Sequence, residues 1–212
     1  MSSLDAPTPV RALPSEPEAA DAALLGRHGA TLLALARTRI AGFARGERLG
    51  PVDLSAYPPE LAVPRACFVT LSRHGNLRGC VGSAKAWRPL LSDVAENAVA
   101  AAADDPRFPP LAASELADAR LSISLLSPPV PVAAASEETL LAQLEPGKDG
   151  LILRAGVKSA LFLPQVWHQL PSPREFLAQL KVKAGLAAAA PVQGIEWQRF
   201  RATSVSEPGA MD

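Results

Sequence analysis

Cysteine and histidine are scarce in this chain, and so is aromatic carbon. It has two cysteines and three histidines, and aromatic residues make up 5% of the sequence. Cys67 and Cys80 cannot furnish the cysteine set of an iron–sulfur centre. They also fall short of a four-cysteine zinc site, and His28, His74 and His168 are scattered without metal-ligand spacing. Neither a metal nor another cofactor is expected. Charge of one sign is lacking too: Lys+Arg and Asp+Glu each number 21, so the formal net charge is zero. Without a basic cluster or an aromatic platform, nucleic-acid binding is not expected. No apolar run approaches the ~18 residues of a membrane helix, so no membrane contact is expected. The opening "MSSLDAPTPVRALPSEPEAA" lacks a charged segment followed by an apolar core, so a secretory signal is not read and a cytoplasmic location is expected.

What is present is the composition of a globular protein, 48% hydrophobic and 20% charged. Residues 1–17 carry four prolines and little apolar material, and read as a disordered tail. Residues 18–205 read as the folded domain and 206–212 as a flexible end. From about Glu18 to Arg45, Leu25, Leu32, Ala36 and Phe43 mark one helical face, with a partly buried, hydrogen-bonded His28 on it. "ACFVTLSRHGNLRGCVGSA" reads as a hairpin about "HGN". "RPLLSDVAENAVAAAADD" is a helix that stops before Pro106. "ARLSISLLSPP" alternates as a half-buried strand. "SEETLLAQL" is a short helix capped by Ser136, and "GLILRAGVKSALFLP" a second hairpin turning near Gly156. Ser172, Pro173 and Glu175 give a complete helix start, with Gly185 as its stop. "GIEWQRFRATSV" closes as a strand. Helices and hairpins mix without strict βαβ alternation, which predicts an α+β fold with a largely antiparallel sheet and flanking helices.

"LRGCVG", residues 77–82, holds the chemistry. A three-residue loop, His74–Asn76, would pair Leu71 with Gly79 and Val69 with Val81, aliphatic against aliphatic. A two-residue loop would shift every pair and put Arg78 on the apolar face, a slip that a buried face resists. In the favoured register Cys67 and Cys80 point to opposite faces, and Thr70 lies opposite Cys80. Arg78 and Cys80 are then i, i+2 neighbours on the less apolar face, where a guanidinium would favour thiolate over thiol. Gly79 and Gly82 leave bare backbone for a close approach. Two readings of Cys80 stay open: a reactive thiol, or a small apolar residue filling a tight core. The motif is not a phosphate loop, because it lacks the lysine and the strand-to-helix context.

Other candidates lie downstream. Arg107 in "DDPRF" either binds an anion bidentately or clamps Asp104 or Asp105, with Phe108 as a core anchor. Asn97 shares the polar face of its helix with Asp93, either solvated or supporting a site. Trp167 reads as packing between lobes, and His168 as a general base only if the fold brings it to Cys80. Lys181 and Lys183 match the negative end of their helix dipole at the surface.

"FVTLSRHGNLRGCVGSA" resembles the hallmark hairpin of the AMMECR-type domain family. "NAVAAAADDPRF", "ELADARLSISLLSPP", "GKDGLIL", "LFLPQVW" and "FLAQLKVKAGL" resemble its further blocks, in its order, over roughly residues 20–205. Val81 stands where isoleucine is usual. The resemblance implies two unequal lobes with a cleft between them and a functional site at the Arg-Gly-Cys hairpin. There Cys80 would be the catalytic thiol, and Arg78, Gly79, Asn97 and Arg107 would bind substrate, a small anionic molecule. It also implies the AmmeMemoRadiSam setting, in which such domains act with a Memo-like protein and a radical-SAM enzyme as partners. No reaction comes with the family. The alternative is a non-catalytic module that binds a protein or metabolite.

Overall fold

A computed structural model describes residues 16–210. Most of the disordered tail expected over residues 1–17 therefore lies outside the described residues, but Glu16 and Pro17 already belong to a helix. That helix, α1 (Glu16–Ala44), is followed by the hairpin β1 (Ala66–Arg73) and β2 (Asn76–Gly82), then α2 (Leu90–Ala103). Next come β3 (Ala119–Leu126), β4 (Val130–Pro131) and α3 (Glu137–Leu141). The chain ends with β5 (Asp149–Ala155), β6 (Lys158–Phe162), α4 (Pro173–Lys183) and β7 (Glu196–Ser206). The start and stop signals read in the sequence operate as expected. The Ser136 and Ser172 hydroxyls accept from the N–H groups of Thr139 and Glu175, and Gly185 ends α4 with φ of 76°.

The sheet is antiparallel throughout, in the order β2-β1-β3-β7-β5-β6, with β4 paired to β7. Strand β7 spans both halves. Its residues 202–206 pair with β3, and its residues 196–201 pair with β5. Each half has its own apolar core on the same, outer face. In the larger, α1 and α2 cover Cys67, Val69, Leu71, Leu121 and Ile123, and Val205 packs against them. In the smaller, Phe176, Leu177 and Leu180 of α4 cover Leu151, Leu153 and Trp197. Trp197 and Val205 are both odd-numbered in β7, so they share a face by strand alternation.

The even-numbered residues of β7 face inward. Phe200 packs there with Ala66, Leu126 and Ile152, and Phe68, Leu161 and Ala202 lie against them. Strands β1 and β6 are separated by three strands in the ladder, yet Phe68 and Leu161 join one cluster. The sheet must curl to bring them together, and the third cluster is the filling of that curl.

The hairpin differs instructively from its expected form. Its turn has two residues, His74 and Gly75, both with positive φ (51° and 76°). This suits the mirror-image turn that matches strand twist, and Gly75 adopts it without strain. The expected loop had three residues. A bulge at Arg78 restores the count: Ser72 pairs with Leu77, while Leu71 pairs with Gly79 and Thr70 with Cys80. From Gly79 onward the register is the one the aliphatic pattern demands.

Candidate functional site

Helix α2 lies directly on β2. Its inward face is built of small residues, Ala95, Ala98, Ala101 and Ala102, all buried. A Cβ on Gly79 would sit 2.0 Å from the carbonyl oxygen of Ala101, so only glycine admits the helix at this height. The bare backbone of Gly79 thus receives a helix, and it does not face an open ligand space.

That close packing delivers the end of α2 to the hairpin. The Asp105 carboxylate accepts the N–H of Cys80 at 2.9 Å, satisfying a donor that edge strand β2 would otherwise leave open. Arg107 clamps the same carboxylate with two bonds, Nε to Oδ1 at 2.9 Å and Nη2 to Oδ2 at 2.6 Å. With two such donors, and despite burial, the Asp105 carboxyl is pulled down to about 2. The clamp uses one edge of Arg107 only, and 53% of its side chain remains exposed. Both readings of Arg107 therefore describe one residue: it is a clamp whose free edge meets solvent beside the thiol.

The thiol of Cys80 is half-buried and accepts a hydrogen bond from the Thr70 hydroxyl at 3.3 Å. Burial raises its pKa above the ordinary thiol value; Thr70, Arg107 and Lys183 pull it down, and Asp105 pushes it up. Desolvation wins, so the resting group is the thiol. Lys183, at the end of α4 in the other half of the molecule, lies close enough for its charge to act on this thiol. Its ammonium donates to the Leu161 carbonyl at 3.0 Å and lies 5.1 Å above the Phe162 ring. Burial and the Arg107 charge lower its pKa, and Cys80 raises it. Among the described residues no carboxylate pairs with it.

Arg78 occupies a different place from the one alternation gives it. At the bulge it leaves the regular ladder and turns to Glu115, bound by two bonds of 2.9 and 3.0 Å. Its guanidinium lies 5.8 Å over Phe108, whose ring also meets Arg107 at 5.5 Å. The Glu115 carboxyl is held down to about 2, chiefly by Arg78. The charges that reach the thiol are those of Arg107, Asp105 and Lys183, so Arg78 shapes the hairpin and does not polarise Cys80.

Asn97 lies on the outer face, under β1. It and Asp93 are buried, not solvated. Asn97 donates to the Cys67 carbonyl at 3.4 Å, and the Cys67 thiol donates to Asp93 at 3.0 Å. Arg88 completes this network by donating to Asp93 at 2.6 Å. Trp167 packs inside the smaller core, stacked on Phe176, and its indole donates to the Asp149 carbonyl. His168 is exposed, and His28 is bonded to Glu60 as its half-buried position suggested. Lys181 corrects an expectation outright. It is fully buried and paired with Glu137 at 2.9 Å, tying α4 to the start of α3.

Of the five residues proposed from sequence, the fold brings Cys80 and Arg107 together and places the rest in supporting positions. Two members were missed. Thr70 was legible, since the register sets it opposite Cys80. Lys183 was not, because only the curl of the sheet carries it there.

Comparison with known proteins places the chain. The AMMECR1 family model matches residues 33–205. A protein of Thermococcus onnurineus is 40% identical over 169 residues, covering 74% of this chain and 79% of its own length. A protein of Methanothermobacter thermautotrophicus is 40% identical over 162 residues, covering 74% and 82%. The crystal structure of an uncharacterized protein from Pyrococcus horikoshii superposes with a TM-score of 0.75 at 32% identity, covering 84% of this chain and 90% of that one. The chain belongs to the AMMECR1 family.

Proposed function

We propose that the protein binds a small anionic molecule at the seam between its two halves and presents it to the Cys80 thiol. One observation carries this reading: the Asp105 carboxylate that holds the Cys80 N–H is clamped by Arg107, the charges of Arg107 and of Lys183 from the other half both act on that thiol, and Lys183 has no carboxylate partner among the described residues. Both side chains reach solvent, so an anion can arrive from outside and gain charge-assisted bonds from the free edge of Arg107 and from the Lys183 ammonium. Arg107 would hold the anion by its exposed edge and Lys183 as a point charge. Cys80 would be the nucleophile or covalent carrier, and Lys183, its own pKa lowered, the group that takes the thiol proton. In the setting the family resemblance implies, this step belongs to a modification pathway shared with a Memo-like protein and a radical-SAM enzyme.

The test compares two alkylating reagents of like size, anionic iodoacetate and neutral iodoacetamide. Native Cys80 should prefer iodoacetate several-fold more than the unfolded chain does, and Lys183→Met or added phosphate should remove that preference. A native ratio equal to the unfolded ratio defeats the reading. The raised pKa of Cys80 favours a second reading, a binding module in which the thiol only touches the ligand. Then Cys80→Ser would keep anion binding and pathway output, whereas lost output with binding and fold intact supports the catalytic role.

A further inference from the structure

The inner face of the sheet opens a second time, at the opposite end from Cys80. Ala66 and Thr70 share this face of β1 and lie four residues apart, roughly 13 Å at strand rise. Between them sits the apolar filling of Phe68, Leu161 and Leu163. Beyond that filling a groove of about 490 Å³ runs between the start of β1, the segments following β2 and β3, and strands β5 and β7. Its size is that of a small-molecule site.

The groove's charge is one-sided. Arg65, Lys85 and Arg154 line it, and no aspartate or glutamate does. Neither Lys85 nor Arg154 makes an ion pair among the described residues, although Glu196 stands opposite Arg154 in the ladder. Arg65 is 3.7 Å from Asp21 through Nη1, while its Nε is buried without a hydrogen-bond partner. Asp21 Oδ1 is likewise buried without a hydrogen bond, so Arg65 has a carboxylate on its far side, and the unpaired charges of the groove are those of Lys85 and Arg154. Gln198 adds an amide from β7, and Pro128 and Pro129 give one wall a stiff backbone.

We propose that this groove is a second anion site, which takes a small molecule bearing a phosphate group or two carboxylates. Arg65 and Arg154 supply planar donor forks for the oxygens, and Lys85 a mobile charge at the mouth. The site is separate from the thiol seam and does not depend on any role for Cys80.

Isothermal titration calorimetry of the full chain tests it with pyrophosphate and succinate as probes, against sodium chloride of equal ionic strength. Arg154 and Lys85 are exposed, so Arg154→Gln and Lys85→Met should leave the fold intact. Saturable binding of either probe, at least about tenfold weaker in Arg154→Gln, is expected, a loss of one charge-assisted contact. Tight pyrophosphate with weak succinate marks a phosphate ligand, and the reverse a dicarboxylate. Lys183→Met should leave this binding unchanged, just as Arg154→Gln should leave the iodoacetate preference of Cys80 unchanged. Binding that ignores both groove substitutions, or that equal ionic strength reproduces, overturns the proposal without touching the thiol reading.

Discussion

Cys67 and Cys80 belong to one hairpin, and their surroundings differ in each property that sets thiol chemistry. Cys67 is on the outer face, fully buried under α2, and it donates to the Asp93 carboxylate. Burial first, and then that carboxylate, raise its pKa far above the ordinary value. Cys80 is on the inner face, half-buried, accepts from a hydroxyl, and feels two cations. One strand register creates both environments. The lesson is that face, more than the local string of residues, decides whether a cysteine has chemistry. "RGC" would describe an inert thiol if the hairpin slipped by one position.

The largest way to break the contrast is at Gly79, where both faces meet. Gly79→Ala would drive a methyl group into the Ala101 carbonyl, which backbone cannot yield cheaply. Urea denaturation should show a loss of about 3 kcal/mol or more. With α2 displaced, Asp105 would also release the Cys80 N–H, and Cys67 would become reactive. A loss below about 1 kcal/mol would mean that α2 does not rest on this strand.

Differential alkylation sharpens the contrast directly. In the native protein at pH 8, Cys80 should label at least about a hundredfold faster than Cys67, and in urea the two rates should converge. Because the Cys80 pKa is raised, its rate should still be climbing above pH 9 and should not plateau near neutrality. Arg78→Ala should change this rate little, and Lys183→Met should lower it, the reverse of what sequence neighbourhood suggests.

Sequence carried the strands, the register beyond Gly79 and the helix caps, because each rests on local periodicity or turn chemistry. It did not carry the bulge, since a two-residue turn plus one bulged residue gives the same downstream pairing as a three-residue loop. It left Asn97, on the polar helix face with Asp93, open between a solvated and a supporting position, because polar residues on a helix face are usually solvated. Here they are buried as a set whose bonds satisfy Cys67 and Arg88. It also could not place Lys183, whose position depends on how far a six-strand path curls.

Acid exposes a smaller difference, one that belongs to the bulge. Glu115 is held at about 2 in the folded state, below an unfolded carboxyl near ~4.3. A depressed carboxyl stabilises fully above its unfolded value, and that contribution fades as pH falls through about 2. Glu115→Gln should therefore cost about 2 kcal/mol at pH 7, since both partners are mostly buried, and almost nothing near pH 2. Stability curves of the two proteins that stay parallel from pH 7 to 2 would show that Arg78 gains nothing from this partner.

Removing each sulfur gives the smallest effect and isolates packing from chemistry. Cys67→Ala deletes a buried atom that donates to Asp93, and should cost about 1–2 kcal/mol by thermal melting. Cys80→Ala deletes a half-buried sulfur whose bond to Thr70 water can replace, and should cost under about 1 kcal/mol. The order matters more than the size. A thiol kept for stability should be the costlier one to lose, so a cheap Cys80→Ala that nonetheless abolishes anion-directed labelling leaves chemistry as the reason for that sulfur. The opposite order would return Cys80 to the role of core filler and leave Arg107 and Lys183 as the whole of the seam's anion site.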